Sequence, residues 1–266
     1  MIDTHAHLFY FDEIELKDIF EHDLDMVINC STSIENLEVN HNLYLKYPEK
    51  IKLAVGIHPE CTNDFFQKYD EFLKKLEDFI KMYRKDLSAV GECGLDYYHR
   101  IENIDAQKQL LRDHVRIAET NRLPIILHAR NNKDATFSSC ILDTLAITGI
   151  RSVNDQNLLD KSNLDKYIQQ NVMNFLNSSS GVFHCFTGTL DEAKAILEAG
   201  YYIGFTNILT YKNSIELREV FSWVWKHYPQ RVMLETDSPY LPPAHNRGKK
   251  CFPYDVEYVY EFIKSS

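Results

Sequence analysis

Two rhythms of apolar and polar positions alternate along the chain. Short runs of β-branched and other apolar residues recur at 1–8, 26–31, 51–57, 88–92, 124–129, 181–186, 201–205 and 232–236. Each has the length of a strand buried on both faces. Between them, apolar residues at helical spacing predict helices near 13–23, 34–47, 65–86, 105–121, 134–147, 190–199 and 214–227, with a last one at 254–264. Thr189-x-x-Glu192 and Asn213-x-x-Glu216 read as capping boxes, and Gly200 follows Leu197-Glu198-Ala199 as a helix-ending glycine does. Pro253 suits the first turn of the final helix.

Eight strands alternating with eight helices in 266 residues predict an α/β fold, a (β/α)8 TIM barrel forming one domain over 1–266. The alternative is a doubly wound open sheet, but no Gly-x-Gly-x-x-Gly follows the first strand. One segment breaks the rhythm. Residues 149–180 are rich in Asn and Ser, Asn154 and Asn157 among them, and carry helical spacing over Leu164–Leu176. Lying between the fifth helix and the sixth strand, this insertion is expected to decorate the face opposite an active site, with a lid as the other reading.

Composition narrows the setting. No apolar run approaches the ~20 residues of a membrane helix. The first strand begins at once, so no secretory signal is expected. Six cysteines without a Cys-x-x-Cys pair point to reduced thiols and a cytoplasmic protein, a nuclear one being the alternative. The net charge of −10 argues against a broadly basic nucleic-acid surface. Any attraction for a polyanion must be local, and a metal could supply it.

The strand ends carry the chemistry. His5 and His7 lie at i and i+2 of the first strand, on one side and about 7 Å apart at Cα. His58 follows the third strand in Gly56-Ile-His-Pro59, and Glu92 is read as ending the fourth. His128 ends the fifth, His184 is in the sixth, and Asp237 ends the eighth. Singly, each has a plainer reading: Asp237 could cap the Ser238-Pro239 turn, and Glu92 could pair with Arg130. Together, imidazoles and carboxylates at carboxyl strand ends predict a metal site, because burying them unpaired is costly. The other six histidines, His22, His41, His99, His114, His227 and His245, fall in helices or loops and read as structural. Mixed imidazole and carboxylate donors suit zinc, manganese or iron. A carboxylate bridging two ions about 4 Å apart suits metal-assisted hydrolysis.

Six blocks in order, Asp3-Thr-His-Ala-His7, Gly56-Ile-His-Pro59, Gly91-Glu-Cys-Gly-Leu-Asp-Tyr97, His128-Ala-Arg130, His184-Cys-Phe-Thr-Gly188 and Glu235-Thr-Asp-Ser-Pro-Tyr-Leu-x-Pro243, span nearly the whole chain. In them the chain resembles the TatD-type metal-dependent deoxyribonucleases, a branch of the amidohydrolase-like barrels. The resemblance implies one ion held by His5, His7 and Asp237, a second by His128 and His184, and Glu92 bridging the two. It implies two or three divalent ions (Mg2+, Mn2+ or Zn2+). Catalysis would fall to Asp237, which orients or deprotonates water, to Glu92, and to His58, which contacts the phosphate or leaving oxygen rather than a metal. Asp96, Arg130 and Arg247 become contacts of the ligands or the phosphate.

The implied activity is hydrolysis of DNA phosphodiesters from 3′ ends. The alternative is a small-molecule amidohydrolase or lactonase on the same site. A nuclease should grip a strand with basic and aromatic residues, for which Tyr97, Tyr98, Tyr211, Lys212, Arg247, Lys249 and Lys250 are candidates. The expected partner is DNA, as a single strand or 3′ end, and no membrane; oligomeric state stays open. Three departures stand out: the insertion at 149–180, Cys251 where asparagine is usual, and a chain that stops at Ser266, short of a further helical segment in relatives. The last is expected to weaken outer packing rather than the metal site.

Overall fold

In the computed structural model, described for residues 1–61, 68–99, 101–134, 138–151 and 160–265, eight strands pair in parallel in sequence order. They are β1 (Ile2–Ala6), β2 (Met26–Cys30), β3 (Ile51–Val55), β4 (Leu87–Asp96), β5 (Ile125–Arg130), β6 (Gly181–Phe183), β7 (Tyr202–Phe205) and β8 (Val232–Leu234). A doubly wound sheet would reverse order at a switch point; this one does not. Covered by helices outside and packed within, the strands are almost wholly buried, as their unbroken apolar runs require.

Closure of the barrel rests on a few bonds beyond β8. Asp237 N donates to His5 O at 2.9 Å and His7 N to Ser238 O at 2.8 Å. Lower down, the Asp3 carboxylate accepts from Thr236 N at 2.9 Å and from Thr236 Oγ1 at 2.6 Å. Thr4 Oγ1 donates to Leu234 O at 3.1 Å.

Around the barrel the described residues form nine α-helices: α1 (Glu13–Glu21), α2 (Leu37–Lys46), α3 (Tyr69–Tyr83), α4 (Ile104–Asn121), α5 (Cys140–Thr148), α6 (Leu164–Leu176), α7 (Leu190–Glu198), α8 (Ile215–His227) and α9 (Glu257–Lys264). None is long and apolar enough to cross a membrane. The predicted helix residues 65–67 and 135–137 lie outside the described residues. The Thr189–Glu192 capping box is formed. The Asn213 box is not: α8 starts one residue later, after Ser214, without a side-chain cap. Gly200 takes the left-handed φ of 88° expected beyond a helix end.

Several expectations need correction. His7, His184 and Asp237 lie just beyond β1, β6 and β8, which end at Ala6, Phe183 and Leu234. Glu92 does not end the fourth strand. β4 runs on to Asp96, and its register against β5 slips between Val90 and Cys93. Gly94 permits this continuation, since a Cβ there would stand 1.9 Å from His128 O. The insertion, of which 152–159 with Asn154 and Asn157 lie outside the described residues, is more than decoration. Its helix α6 packs against β1 and β8, with Ile168 and Val172 fully buried. Asn171 Nδ2 donates to Pro229 O at 2.8 Å and to Val232 O at 3.0 Å. That contact is at the entry to β8, so α6 closes the barrel floor, on the face opposite the strand ends.

His114 shows how α4 sets a loop at the mouth. It is fully buried; Nδ1 donates to Leu110 O at 2.8 Å, and Nε2 accepts from Ile57 N at 3.0 Å, beside His58. Burial lowers its pKa to about 4 from 6.5. The unfolded chain therefore takes up a proton below pH 6.5 that the folded chain refuses until about pH 4. The neutral ring stabilises the fold by about 3 kcal/mol above pH 6.5, a contribution that shrinks as pH falls and vanishes below about pH 4. Urea unfolding at about pH 7.5 and about pH 5 should show about 2 kcal/mol more acid destabilisation in the unaltered protein than in His114→Gln. Equal pH dependence of the two proteins would rule this out.

Candidate metal centre

Six side chains from five strands and their following residues converge in the barrel mouth. Period-two alternation turns His5 and His7 inward from β1, and the seam with β8 brings Asp237 against them. Glu92 projects from the irregular stretch of β4 into the centre. There His5 Nε2 lies 3.4 Å from His7 Nε2 and 3.2 Å from Glu92 Oε2. His7 Nε2 is 3.4 Å from the same carboxylate oxygen and 3.4 Å from Asp237 Oδ1. Asp237 Oδ1 is 3.8 Å from His5 Nε2. The other oxygen of Glu92 faces a second group. Oε1 is 2.9 Å from His128 Nδ1 and 2.7 Å from His184 Nε2, and those nitrogens are 3.4 Å apart.

These spacings fit metal ions. Donors about 2.0–2.1 Å from a tetrahedral ion stand roughly 3.3–3.4 Å from one another. Two imidazole nitrogens aimed at one point, beside a carboxylate, match the donor chemistry of zinc or manganese.

The far side of each ring decides which nitrogen is free. His7 Nδ1 donates to Cys30 O at 3.0 Å and His128 Nε2 to Asp96 Oδ2 at 3.1 Å. His184 Nδ1 faces Glu235 Oε1 at 3.6 Å, longer than a hydrogen bond. For His7 and His128 the outer bond turns the unprotonated nitrogen of the neutral ring inward, as metal-binding histidines require. His58 is the reverse case. Its Nε2 lies 3.4 Å from Glu92 Oε1, near enough to join Glu92 and His128 in a ligand group. But its Nδ1 accepts from Glu60 N at 3.2 Å, so in the neutral ring Nε2 carries the hydrogen. His58 therefore presents a donor to the mouth.

Burial and charge oppose each other here. Burial, the largest influence, lowers the pKa of His5 and His58. It also pulls at His7 and His184, but hydrogen bonds and charges outweigh it: Asp237 and Glu92 raise His7, while Glu92 and Glu235 hold His184 well above its usual range. Burial would raise Glu92, yet His184, His58 and His5 hold it well below the ordinary carboxylate range. Asp237 is likewise lowered, by His7 and His184 against burial.

Sequence reasoning missed the acids behind the ligands. Glu235 is fully buried and accepts from Thr4 Oγ1 at 3.2 Å and from Cys185 N. Gly204 makes room for it, since a Cβ there would meet Glu235 Oε2 at 2.4 Å. Asp3, equally buried, also accepts from His5 N at 3.1 Å. Asp3 lies two residues before His5 on β1, a signal that strand periodicity could have supplied, whereas Glu235 and Asp237 lie beyond β8, where no strand period holds.

The predicted substrate contacts divide. Tyr97 is corrected: it is buried and its hydroxyl donates to Asp143 Oδ2 at 2.6 Å. With Asp96 facing the mouth, its neighbour turns outward. Asp96 accepts from His128 and, at 3.0 Å, lies beside His99 Nδ1, so it orients a ligand. His99, read as structural, stands at the mouth, 3.1 Å from Glu60 Oε1. Arg130 does not pair with Glu92; its guanidinium sits 4.5 Å from the Tyr98 ring, and Lys133 Nζ approaches that ring at 4.7 Å. Arg247 lies 4.7 Å from the Tyr211 ring, and the Tyr211 hydroxyl donates to Pro242 O at 2.8 Å. Lys212 and Lys249 are exposed. Lys250 is corrected as a strand grip, because its ammonium is held by Glu15 Oε2 at 2.7 Å and by Tyr10 O at 3.1 Å. All six cysteines are free, and Cys251 is buried.

Comparison with known proteins places this arrangement. The sequence profile described as TatD related DNase matches residues 2–265. A Buchnera aphidicola protein (subspecies Acyrthosiphon pisum) named an uncharacterized metal-dependent hydrolase is 31% identical, over 99% of this chain and 90% of its own length. YcfH of Escherichia coli K12, named in the same way, is 28% identical over 99% of this chain and 86% of its own. In fold, the chain is similar to the crystal structure of YjjV, a TatD homologue from E. coli K12, with a TM-score of 0.74 at 23% identity, covering 99% of this chain and 89% of that one. A hydrolase TatD family protein from Entamoeba histolytica gives 0.71 at 21% identity, covering 100% and 90%.

If Asp96 holds the His128 tautomer, Asp96→Asn should weaken the ion at His128 by roughly 10–100-fold while leaving the fold intact. Calorimetric titration with Mn2+ or Zn2+ reads this, and an unchanged pair of affinities would refute the role.

Proposed function

We propose that this chain, which belongs to the family of TatD related DNases, hydrolyses DNA phosphodiester bonds at 3′ ends with two divalent ions. The supporting observation is the division of one carboxylate: Glu92 Oε2 serves the His5–His7 group and Oε1 the His128–His184 group. His5, His7, Asp237 and Glu92 would hold one ion, and His128, His184 and Glu92 the other. Bound there, divalent ions supply Lewis acidity at the phosphoryl oxygen and lower the pKa of the attacking water.

The chain's own groups do the rest. The Asp237 side chain keeps 16% of its surface open, while that of Glu92 keeps 3%. With its pKa held low, Asp237 is ionised at neutral pH, free to orient water and accept its proton. His58 Nε2–H donates to a phosphate or leaving oxygen. Asp96 holds His128 in orientation, and the Glu235 carboxylate faces the outer edge of His184. Around the rim, Arg130 and Lys133 over Tyr98, and Arg247 over Tyr211, pair cations with aromatic faces, the combination that tracks a sugar–phosphate chain with stacked bases.

A labelled single-stranded oligonucleotide should be shortened from its 3′ end in Mg2+ or Mn2+, and chelator should stop the reaction. Glu92→Ala should lower the rate by at least about 10³-fold with the fold retained, as expected when the shared ligand is lost. Near-normal cleavage by Glu92→Ala would refute the two-ion centre. Absence of cleavage of any DNA, with turnover of lactones or amides, would replace the nuclease by the small-molecule hydrolase.

A further inference from the structure

Two large aromatic side chains stand open to solvent beside the ion ligands, and nothing in the hydrolytic chemistry above uses them. Tyr10 is 47% exposed and Tyr240 50%. Their ring centroids lie 6.4 Å and 6.3 Å from the His7 ring. They meet each other at 5.9 Å and 76°, edge to face, an arrangement that leaves ring surface free for a further partner. Phe9 backs Tyr10 at 4.3 Å.

The rings are held in place. Lys250 on the β8 side donates to Tyr10 O, grips Glu15 on α1 and lies 4.3 Å from the Phe11 ring. Cys251 N donates to Pro239 O at 3.0 Å. The loops after β1 and β8 are thus latched together, which fixes the backbone that carries the two rings.

Topology gives the pair its partner. The β1–β8 seam and the β4–β5 ends face each other across an eight-stranded barrel, with the ion ligands between. At the far rim stand Arg130 and Lys133 flanking Tyr98, groups for phosphate; at the seam rim stands an aromatic face against the ligands. We propose that Tyr10 and Tyr240 form a stacking platform for the terminal base of the strand, so that the site selects an unpaired nucleobase of any identity. The proposal rests on the nuclease reading. Every base has a π face, so stacking tolerates sequence, while a paired end must first unstack and unpair.

The test uses the Mn2+-loaded protein and 5′-labelled oligonucleotides that differ only at the 3′ terminus, one with a normal nucleotide and one with a baseless tetrahydrofuran. The normal end should be removed with kcat/KM roughly 5–150-fold higher, the range of single base–aromatic stacks. In Tyr10→Ala and Tyr240→Ala that advantage should fall towards one through KM, while Tyr→Phe at either position keeps it. A terminal 2-aminopurine on an uncleavable methylphosphonate should be quenched on binding, and the alanine variants should lose the quench. Cleavage of DNA without discrimination between the two ends, or alanine variants that lower kcat alone, overturns the platform and leaves the nuclease standing. No cleavage of any DNA overturns the nuclease reading and the platform with it.

Discussion

The centre depends on the seam between the first and last strands. β8 ends at Leu234, before the residue that must reach the ions. The chain beyond it is carried along β1 by Asp237 N to His5 O and His7 N to Ser238 O. Below these, the Asp3 carboxylate replaces ladder partners, taking both donors of Thr236. Asp237 can therefore stand beside His5 and His7 only when the barrel is closed. Closing the sheet and assembling the ligand group are one event. The helix α6 contributes from the opposite end, where Asn171 satisfies carbonyls at the entry to β8.

Burial sets the second condition. Five imidazoles and two carboxylates sit within a few ångströms of one another, and unpaired burial of such groups would cost several kcal/mol each. The protein answers with ordered pairs. Glu92 is the common partner, depressed far below its usual pKa by the rings around it. Behind the rings, Cys30 O, Asp96 and Glu235 take or face the outer nitrogens. His58, whose outer nitrogen accepts from a backbone amide, is left with its hydrogen inward. One hydrogen bond thus separates His58 from His7 and His128, whose outer nitrogens donate instead.

Much of this was legible in the sequence because a parallel barrel gathers its strand ends on one face. The positions of His5, His7, His128, His184 and Asp237 follow from counting strands, and their side chains do converge. What escaped depends on neighbours that no local pattern encodes. The sequence offers Tyr97 to a bound strand, but the continuation of β4 past Glu92 fixes which of Asp96 and Tyr97 faces the mouth. Lys250 was read as free until the β1–β8 latch set it against Glu15. Helix α6 was visible as a helix, yet its place under the barrel is a tertiary fact. Asp3 was within reach, two residues before His5 on β1 and so on the same strand face, while Glu235 lies beyond the end of β8.

The acidity of the chain and the proposed phosphodiester substrate are reconciled by where the charges lie. A net charge of −10 disfavours the long, counterion-displacing contact that a duplex-coating protein makes. Some cations on the described residues are paired with acids, as in the Lys74–Asp78, Lys75–Glu71 and Arg116–Glu77 pairs. Arg130, Lys133 and Arg247 instead lie against aromatic rings at the rim. On the nuclease reading, attraction is confined to the mouth, and the acidic exterior repels the body of a polynucleotide beyond it. Such a field favours a strand that enters by its end, since only a terminus brings few phosphates near the protein while placing one at the centre. On that reading, a restriction to ends needs no blocking wall.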